Sequence, residues 1–492
     1  MKHFETIILI ASVWFAISCG GNRLRNNEKA LAKQILTEEE QLAKETAVRV
    51  EHEKQLADSI AKLPKGFRFK EDRSIDPQRL PTVIDIAGNR TNPRKIKLSQ
   101  LFNKVEYIRL EQDPDSGGFN LGFDILVSPN HIYRSSFMGS IYQFDLKGHF
   151  IQTVCKGNLQ FTNSKGIIMR SKEQVDQFEG AREAFWDGNK LCYQYENRPA
   201  QKKFLMTFDD QTNAEKTSIQ LPASVESKIQ INGKGEIIAN LKQGSSIRTN
   251  PLYLLGNSTM VLSNRPNPYG PPANFIDVIS TSGDTLCEFK NNDPIKNFSK
   301  SVSRGVDDGD TYYFNGILHL RQAFNDTIYQ LISPNRLIPK YVLSFGELGI
   351  KSANQGVDPD FSLKDKLIPE SLLETNRYLF ITYSKDYSCP NTAKKGTLKF
   401  SRLIYDKKNK TLTPIYLDEA PFIPEGKMAW PSAPNLNIEN DLDGMPFNWP
   451  TSVTANGKPF SIISGEDLLK LKNQNLPVKN IRKNDRIIAI YH

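Results

Sequence analysis

The chain has 492 residues, of which 38% are hydrophobic, 10% aromatic and 24% charged. With 30 Gly and 28 Pro it can bury a core and is rich in turn formers, which excludes a disordered polymer and favours an all-β protein. The formal net charge of +9 is spread along the chain without a basic block interleaved with aromatics, so no nucleic-acid partner is predicted.

The amino terminus has the features of a bacterial lipoprotein signal. A lysine precedes the apolar run "IILIASVWFAIS", which is too short to span a membrane and suits a secretory signal. Small residues before Cys19, followed by two glycines, resemble a lipobox, in which the cysteine thiol is acylated and the chain is cut just before it. We predict a signal peptide over residues 1–18 and a lipid-anchored tether over 19–27. Ordinary cleavage near Ser18 is the alternative.

The sequence after the anchor indicates the compartment. No aspartate follows Cys19 directly to suggest inner-membrane retention, and no acidic run of the kind used for surface export is present. The expected location is therefore the outer membrane, with the protein facing the periplasm, and the cell surface is the alternative.

Residues 28–63 are predicted to form a helical stalk. This segment lacks Gly and Pro and is dominated by good helix formers, and Pro64 ends it. Apolar residues recur at a seven-residue spacing from Ile35 to Leu63, but the second seam of a coiled coil is polar. A solvated stalk is favoured over a dimerising coil.

Hairpin patterns then recur along the chain. "IYQFDLKGHF" begins at Ile141 and alternates apolar residues about a tight turn, which is typical of a β-hairpin. Similar patterns lie at residues 204–221, 276–289, 328–343 and 402–417, and a further candidate hairpin precedes each of the five.

These hairpins predict an all-β fold, a six-bladed β-propeller over residues 80–470 with a C-terminal extension over 471–492. A sixth hairpin at Ser452–Ser464 lacks a downstream partner, so the strands at Pro81–Ile86 and Lys104–Glu111 are expected to complete the last blade. Two β-sandwiches in tandem are the alternative.

Four stretches resemble a known family: "VEYIRLEQ" from Val105, "SIYQFDLKGHFIQTV" from Ser140, "NDTIYQLISPNRLIPKYVLSFG" from Asn325 and "NDLDGMPFNWP" from Asn440. They are similar to uncharacterised six-bladed β-propeller lipoproteins of Gram-negative bacteria, which are distantly similar to the TolB and NHL propellers. The resemblance implies a propeller fold and export, and it implies no settled activity.

Catalytic motifs are missing from the sequence. It contains no GxSxG elbow, HExxH pair, Walker loop, dinucleotide fingerprint or EF-hand loop. His131 and His149 fall at hairpin corners and are expected to be solvated turn residues. His319 alternates with leucines and is expected to be a hydrogen-bonded strand histidine.

Two loops are candidate ligand sites. Asp441 and Asp443 precede Gly444 in an oxygen-rich stretch that suits Ca²⁺, although the spacing lacks a distal bidentate Glu and turn capping is the favoured alternative. No other cofactor is predicted. Aromatic side chains near these loops could stack on a sugar or a peptide, with ordinary packing as the alternative: Trp430, Phe447, Trp449, Tyr383 and Tyr387.

Four cysteines remain after the anchor, none in a CxxC pair, and buried free thiols are favoured over disulfides: Cys155, Cys192, Cys287 and Cys389.

The sequence leaves two functions open. The leading one is a lipoprotein that is not an enzyme and whose propeller binds a glycan, a peptide or an envelope protein. The alternative is a propeller hydrolase or lyase with carboxylates at the channel mouth, with or without a divalent cation.

Overall fold

The computed structural model describes most of the chain from residue 54 onward. Two compact units divide it, Met1–Lys62 and Leu63–His492. In the first unit residues 54–61 are helical, as predicted for the end of the stalk, and the anchor at Cys19 lies outside the described residues. The described residues are 51, 54–77, 79–112, 124–136, 139–158, 179–187, 190–200, 202–220, 252–255, 259–263, 274–291, 309–322, 325–350, 366–385, 399–419, 437–471 and 476–492.

The second unit is built from short strands. In chain order they begin with β1 (Thr82–Asp85), β2 (Ile96–Lys97), β3 (Val105–Arg109), β4 (Ile125–Val127), β5 (His131–Ser135), β6 (Ile141–Asp145), β7 (Phe150–Cys155), β8 (Glu179–Trp186), β9 (Leu191–Asn197), β10 (Lys202–Asp209), β11 (Ala214–Gln220), β12 (Leu252–Leu255), β13 (Thr259–Ser263), β14 (Asn274–Ser280) and β15 (Thr285–Lys290).

The second half of the unit continues the same pattern. Its strands are β16 (Asp310–Phe314), β17 (Ile317–Arg321), β18 (Thr327–Ser333), β19 (Arg336–Ser344), β20 (Leu367–Glu374), β21 (Tyr378–Lys385), β22 (Lys399–Asp406), β23 (Thr411–Glu419), β24 (Ile438–Glu439), β25 (Ser452–Val453), β26 (Pro459–Ser464) and β27 (Arg486–Tyr491). The helices among the described residues of this unit are short: Ile86–Asn89, Leu98–Gln100, Gly346–Leu348 and Gly465–Leu469.

Six antiparallel sheets form the blades of a β-propeller. Blades 1 to 5 take four consecutive strands each: β4 to β7, β8 to β11, β12 to β15, β16 to β19 and β20 to β23. The first strands of neighbouring blades contact one another, as β16 does β20 and β20 does β25. The first strand of each blade is therefore innermost and the fourth is outermost, which confirms the predicted fold class.

Blade 6 is closed by strands from both ends of the chain. Its order is β25, β26, β27, β3, and β3 pairs antiparallel with β27 from Val105 opposite Tyr491 to Arg109 opposite Ile487. This pairing confirms that the strand within Lys104–Glu111 completes the last blade. Because the two ends of the ring share one sheet, the ring has no open flank between its first and last blades.

Two boundary predictions are wrong. The C-terminal extension at 471–492 contains β27, whose apolar run needs cover on both faces and so forms an interior strand of blade 6. The strand within Pro81–Ile86 does not complete blade 6. As β1 it pairs in parallel with β19, from Thr82 opposite Tyr341, and adds a fifth strand outside blade 4.

Residues 67–101, which we call the outer strap, run along the outside of three blades. The Phe69 amide donates to Leu286 O of blade 3 at 2.7 Å, and β1 covers β19 of blade 4. The Arg94 amide then donates to Pro414 O of blade 5 at 2.9 Å before the chain enters blade 6. The strap pairs with outer-edge backbone groups that would otherwise be exposed to other chains.

The hydrophobic core lies between neighbouring blades. Between blades 6 and 1, for example, Phe144, Phe460 and Ile488 are fully buried in one cluster. Turns also pack tightly across this boundary: a Cβ on Gly148, whose φ is +91°, would lie 2.2 Å from Arg109 O of β3. Only glycine fits this turn at its present distance from the closing strand.

Candidate functional site

Two clusters of polar side chains, each around a buried carboxylate, lie between blades. The Asp210 cluster lies between blades 1 and 2 and contains Asp210, Ser128, Asn130, His131 and Tyr133. The Glu374 cluster lies between blades 4 and 5 and contains Glu374, Tyr312, His319, Lys340, Tyr341 and Lys407.

Strand ends and turns position the Glu374 cluster. Glu374 is the last residue of β20, and the turn that follows is fixed by Thr375, which exchanges hydrogen bonds with Tyr378. Lys407 opens the turn between β22 and β23. There the Asp406 carboxylate accepts from the amides of Lys408 and Asn409 at 2.9 and 3.0 Å. The backbone that carries each charge is therefore held by local hydrogen bonds.

The Glu374 carboxylate is 1% exposed and accepts four hydrogen bonds. Lys340 Nζ, Lys407 Nζ and the Tyr341 hydroxyl donate to Oε1 at 3.0, 2.9 and 2.8 Å, and the Tyr312 hydroxyl donates to Oε2 at 3.0 Å. Burial acts to raise the pKa of this carboxyl. The two ammonium groups outweigh it and lower the pKa to about 2. Glu374 is therefore ionised throughout the neutral range.

His319 is neutral in this cluster. Its Nδ1 donates to Ile317 O at 2.9 Å, and its Nε2 accepts from Lys340 Nζ at 3.1 Å. The ring stacks on Tyr312 at 4.9 Å between centroids. Burial, and next the Lys340 charge, lower the pKa of the imidazole to about 4. The predicted hydrogen-bonded strand histidine is confirmed, and at neutral pH it is not an imidazolium, since its one ring hydrogen is on Nδ1 and bonded to Ile317 O.

The Glu374 cluster carries more positive than negative charge. Its charged groups are Lys340, Lys407 and one carboxylate, so its net charge is +1. Two nearby arginines do not change this balance, because each is paired with its own aspartate: Arg321 with Asp310 and Arg377 with Asp406. Lys340 and Lys407 are also partly exposed, at 22% and 17% of their side chains.

Asp210 has the position in its hairpin that Lys407 has in blade 5, but the chemistry of the two clusters differs. Asp210 opens the turn between β10 and β11, after Asp209, which caps two turn amides as Asp406 does in blade 5. Asp210 accepts from Ser128 Oγ, Asn130 Nδ2, His131 Nδ1 and the Tyr133 hydroxyl at 2.7 to 2.9 Å. With its side chain only 14% exposed and bound to Asp210, His131 is not the solvated turn residue that was predicted.

The aromatic residues predicted to stack on a ligand lie mostly in the core. Phe447 and Trp449 are 8% and 9% exposed, packed at 5.1 Å from Tyr491 and 5.2 Å from Phe380 respectively. Tyr383 is fully buried against Phe345. Packing, the alternative weighed for these residues, accounts for all three rings, and stacking on a ligand stays a prediction. Trp430 and Tyr387 lie outside the described residues.

The two aspartates predicted to bind Ca²⁺ tie loops together. Asp441 accepts from the Ser99 amide and hydroxyl at 2.9 and 2.6 Å, which fastens its loop to the strap. Asp443 accepts from the Tyr107 hydroxyl and the Met445 amide, each at 2.9 Å. Within the described residues no group of three or more His, Cys, Asp or Glu could hold a metal ion. Asp443 caps its own turn through the Met445 amide, whereas Asp441 binds the strap, and a Ca²⁺ site stays a prediction.

The carboxylates of the innermost strands are held by internal partners wherever their side chains are described. Glu179 accepts from Tyr195 and Asn197, Asp310 pairs with Arg321, and Glu370 accepts from Ser384. Glu374, on the innermost strand of blade 5, has the four donors given above. These acids therefore act as ties between strands.

Cysteines and helices add two further findings. Cys155, Cys192 and Cys287 are buried free thiols, as favoured, and Cys389 lies outside the described residues. Burial raises the pKa of Cys287 to about 11, so its thiol is a poor nucleophile.

Among the helices that the structure describes, none is long and apolar enough to cross a membrane.

Sequence reasoning missed the charged members of the Glu374 cluster. Lys340 and Glu374 occur in ordinary strand patterns, "IPKYVL" and "SLLETN", and Lys407 lies in the turn "DKKNK". Each looks like a solvated charge until the blades are placed side by side. The only local signal was His319, flanked by leucines on a strand.

The six sheets and their closure define a six-bladed β-propeller protein. The chain belongs to the family described as a domain of unknown function, DUF4933, whose model matches residues 64–474. This agrees with the resemblance to an uncharacterised propeller family. No curated protein matches the chain.

Solved structures are similar to the chain at low identity. A member of the DUF4221 family from Bacteroides vulgatus is 10% identical with a TM-score of 0.38, over 79% of this chain and 98% of that one. BamB from Moraxella catarrhalis is 12% identical with a TM-score of 0.26, over 64% and 67%. The WD40 domain of SCAP from fission yeast is 10% identical with a TM-score of 0.22, over 79% and 73%.

Proposed function

We propose that this protein is an outer-membrane lipoprotein, anchored at Cys19 and facing the periplasm, whose propeller is a binding platform for a glycan, a peptide or an envelope protein. One observation carries the choice of a platform over a hydrolase. The described carboxylates of the innermost strands are bound to neighbouring side chains, so they serve the scaffold. A general acid or base at the channel mouth needs a carboxylate that can reach a substrate.

The construction of the ring supports the same proposal. Blade 6 is shared by both chain ends, and the outer strap fastens blades 3, 4 and 5 to one another along the rim. A scaffold held at so many points can present variable loops in fixed positions, which is what a binding surface requires. The predicted signal, anchor and stalk would place that scaffold at a distance from the membrane.

A thermal-shift screen of the full mature chain tests the platform. The panel contains glycans, peptidoglycan fragments, peptides and Ca²⁺ with a chelator control. A ligand at a hundred times its dissociation constant should stabilise the folded state by about 2.7 kcal/mol. A shift without turnover supports the platform, and release of product from a glycan or peptide would contradict it. If no small ligand shifts the transition, crosslinking in the envelope tests the protein partner.

The anchor has a separate test. Metabolic labelling with an acyl-chain analogue should mark the wild-type chain and leave Cys19→Ala unlabelled, since the thiol is the attachment point. A matched control, Cys155→Ala, removes a buried thiol and should keep the label. Labelling of Cys19→Ala at the wild-type level would contradict the lipoprotein assignment, and the binding-platform proposal would be unaffected.

A further inference from the structure

We propose that Lys340 and Lys407 bind a carboxylate group on the partly exposed side of the Glu374 cluster. The ligand is a singly charged carboxylate, carried by a free small acid or by the terminus or side chain of a peptide. The inference does not rest on the platform function, because the site lies at a turn between blades 4 and 5 and is argued from its own charges.

The first step is the charge balance. Both ammonium nitrogens lie within 3.0 Å of the same Glu374 oxygen, so they are close neighbours with one counter-charge between them. Within the described residues, the nearby acids Asp310 and Asp406 are committed to arginines. An uncompensated charge in a partly buried place is costly, and one further anion would neutralise the cluster.

The second step concerns hydrogen-bond donors. An ammonium group has three N–H donors. In the described contacts Lys340 uses two, on Glu374 and His319, and Lys407 uses one, on Glu374. Since both side chains remain partly exposed, the other donors are available to an oxygen ligand. Glu374 already takes four donors in its buried position, three on Oε1 and one on Oε2.

The third step is the shape of the surroundings. The ring of Phe314 lies under both cations, with its centroid 4.9 Å from Lys340 Nζ and 4.2 Å from Lys407 Nζ. Such cation–π contacts hold an ammonium group in place without a negatively charged partner. The two nitrogens are therefore held near the same ring and the same Glu374 oxygen, where both can donate to one carboxylate.

A purely structural role explains one lysine and leaves the other unexplained. One ammonium group is enough to neutralise the charge of Glu374, and the two tyrosines supply two further donors. The fourth acceptor position needs a hydrogen-bond donor but no second positive charge. The Asp210 cluster is fastened without any lysine, by hydroxyl, amide and imidazole donors. The second cation in the Glu374 cluster therefore adds charge that folding does not need.

The test uses the full mature chain and ¹³C-acetate as the probe, with sodium chloride at equal ionic strength as the reference. Saturable broadening of the acetate resonance is expected for the wild type. Lys407→Met and Lys340→Met should each weaken the apparent affinity at least tenfold, while Lys408→Met, an exposed neighbour in the same turn, should leave it unchanged. Far-UV circular dichroism of each variant verifies that it is folded.

Two results would overturn the proposal: no saturable broadening in the wild type, or equal broadening in the wild type and both lysine variants. Broadening of a phosphate signal without an acetate response would overturn the assignment to carboxylates. A short peptide with a free C-terminal carboxylate, measured against its amide, separates the two sources of ligand. Tighter binding of the free-acid peptide than of its amide indicates a peptide terminus. If both peptides bind equally weakly while acetate gives a strong response, the ligand is a small acid.

Discussion

The Asp210 and Glu374 clusters are built on the same hairpin frame and solve the burial of a carboxylate differently. In blades 2 and 5 an aspartate ends the third strand and caps the turn, and the next residue carries the charge: Asp210 in one blade and Lys407 in the other. Asp210 is held by neutral hydroxyl and amide donors and an imidazole. Glu374 is held by two cations and two hydroxyls. The frame fixes where a charge lies, and the residue placed there decides its sign.

Removing the buried negative charge should give the largest difference in unfolding free energy between the two clusters. Glu374→Gln leaves Lys340 and Lys407 without a counter-charge, and breaking such a buried pair costs about 3 to 5 kcal/mol of unfolding free energy. Asp210→Asn keeps one acceptor oxygen and leaves no lysine without a counter-charge, for a cost of about 1 to 3 kcal/mol. Urea unfolding of both variants measures the difference, and equal costs would contradict the role given to the lysines.

Acid should destabilise the protein through the Glu374 cluster. His319 has a folded-state pKa of about 4, so the unfolded imidazole binds a proton more readily than the folded one, and stability falls as the pH drops from 6.5 to 4. Glu374, with a pKa of about 2, adds a second loss from pH 4.5 to 2. At 1.36 kcal/mol per pKa unit the His319 part amounts to about 3 kcal/mol.

Unfolding free energy measured against pH tests this assignment. His319→Gln should flatten the profile between pH 6.5 and 4, because the titrating ring is gone. His149→Gln, at a ring that is 59% exposed in blade 1, is the control, and it should retain the loss of stability that is assigned to His319. A profile that His319→Gln leaves unchanged would assign the acid sensitivity to other groups.

The shared frame itself should matter equally in both blades. Asp209→Ala and Asp406→Ala each remove a carboxylate that accepts from two turn amides, and each should cost about 1 kcal/mol. Asp406 also pairs with Arg377 at 3.1 Å, an ion pair whose arginine is half exposed, so its extra cost should be small. If the urea midpoints of the two variants differ widely, the two hairpins are not equivalent.

The sequence predicted what is local and missed what depends on the arrangement of blades. The hairpin from Ile141 was predictable because its turn and alternation lie within one short stretch. β1 was assigned to the wrong blade, since its parallel partner β19 is known only when the outer edge of blade 4 is placed. The sequence predicts an extension where β27 lies, because its partners β26 and β3 include the other end of the ordered chain.

The same reason explains the outcome at the sites. Phe447 and Trp449 had packing as a stated alternative, and they pack. His319 could be predicted to be hydrogen-bonded from its leucine neighbours, whereas its partners Lys340 and Gln330 lie on other strands. No local pattern distinguishes a lysine that meets a carboxylate across a blade boundary from a solvated one.

The smallest expected effect is at Lys407. Lys407→Met keeps the Lys340 pair on Glu374, removes the excess cation and retains an apolar stem over Phe314. Because the lost Coulomb attraction is offset by the lost desolvation cost, the unfolding free energy should change by less than about 1 kcal/mol. Urea unfolding without acetate measures this, with Lys408→Met as the control. A loss near that of Glu374→Gln would mean that Lys407 is needed for folding, and the charge it adds would then need no ligand to explain it.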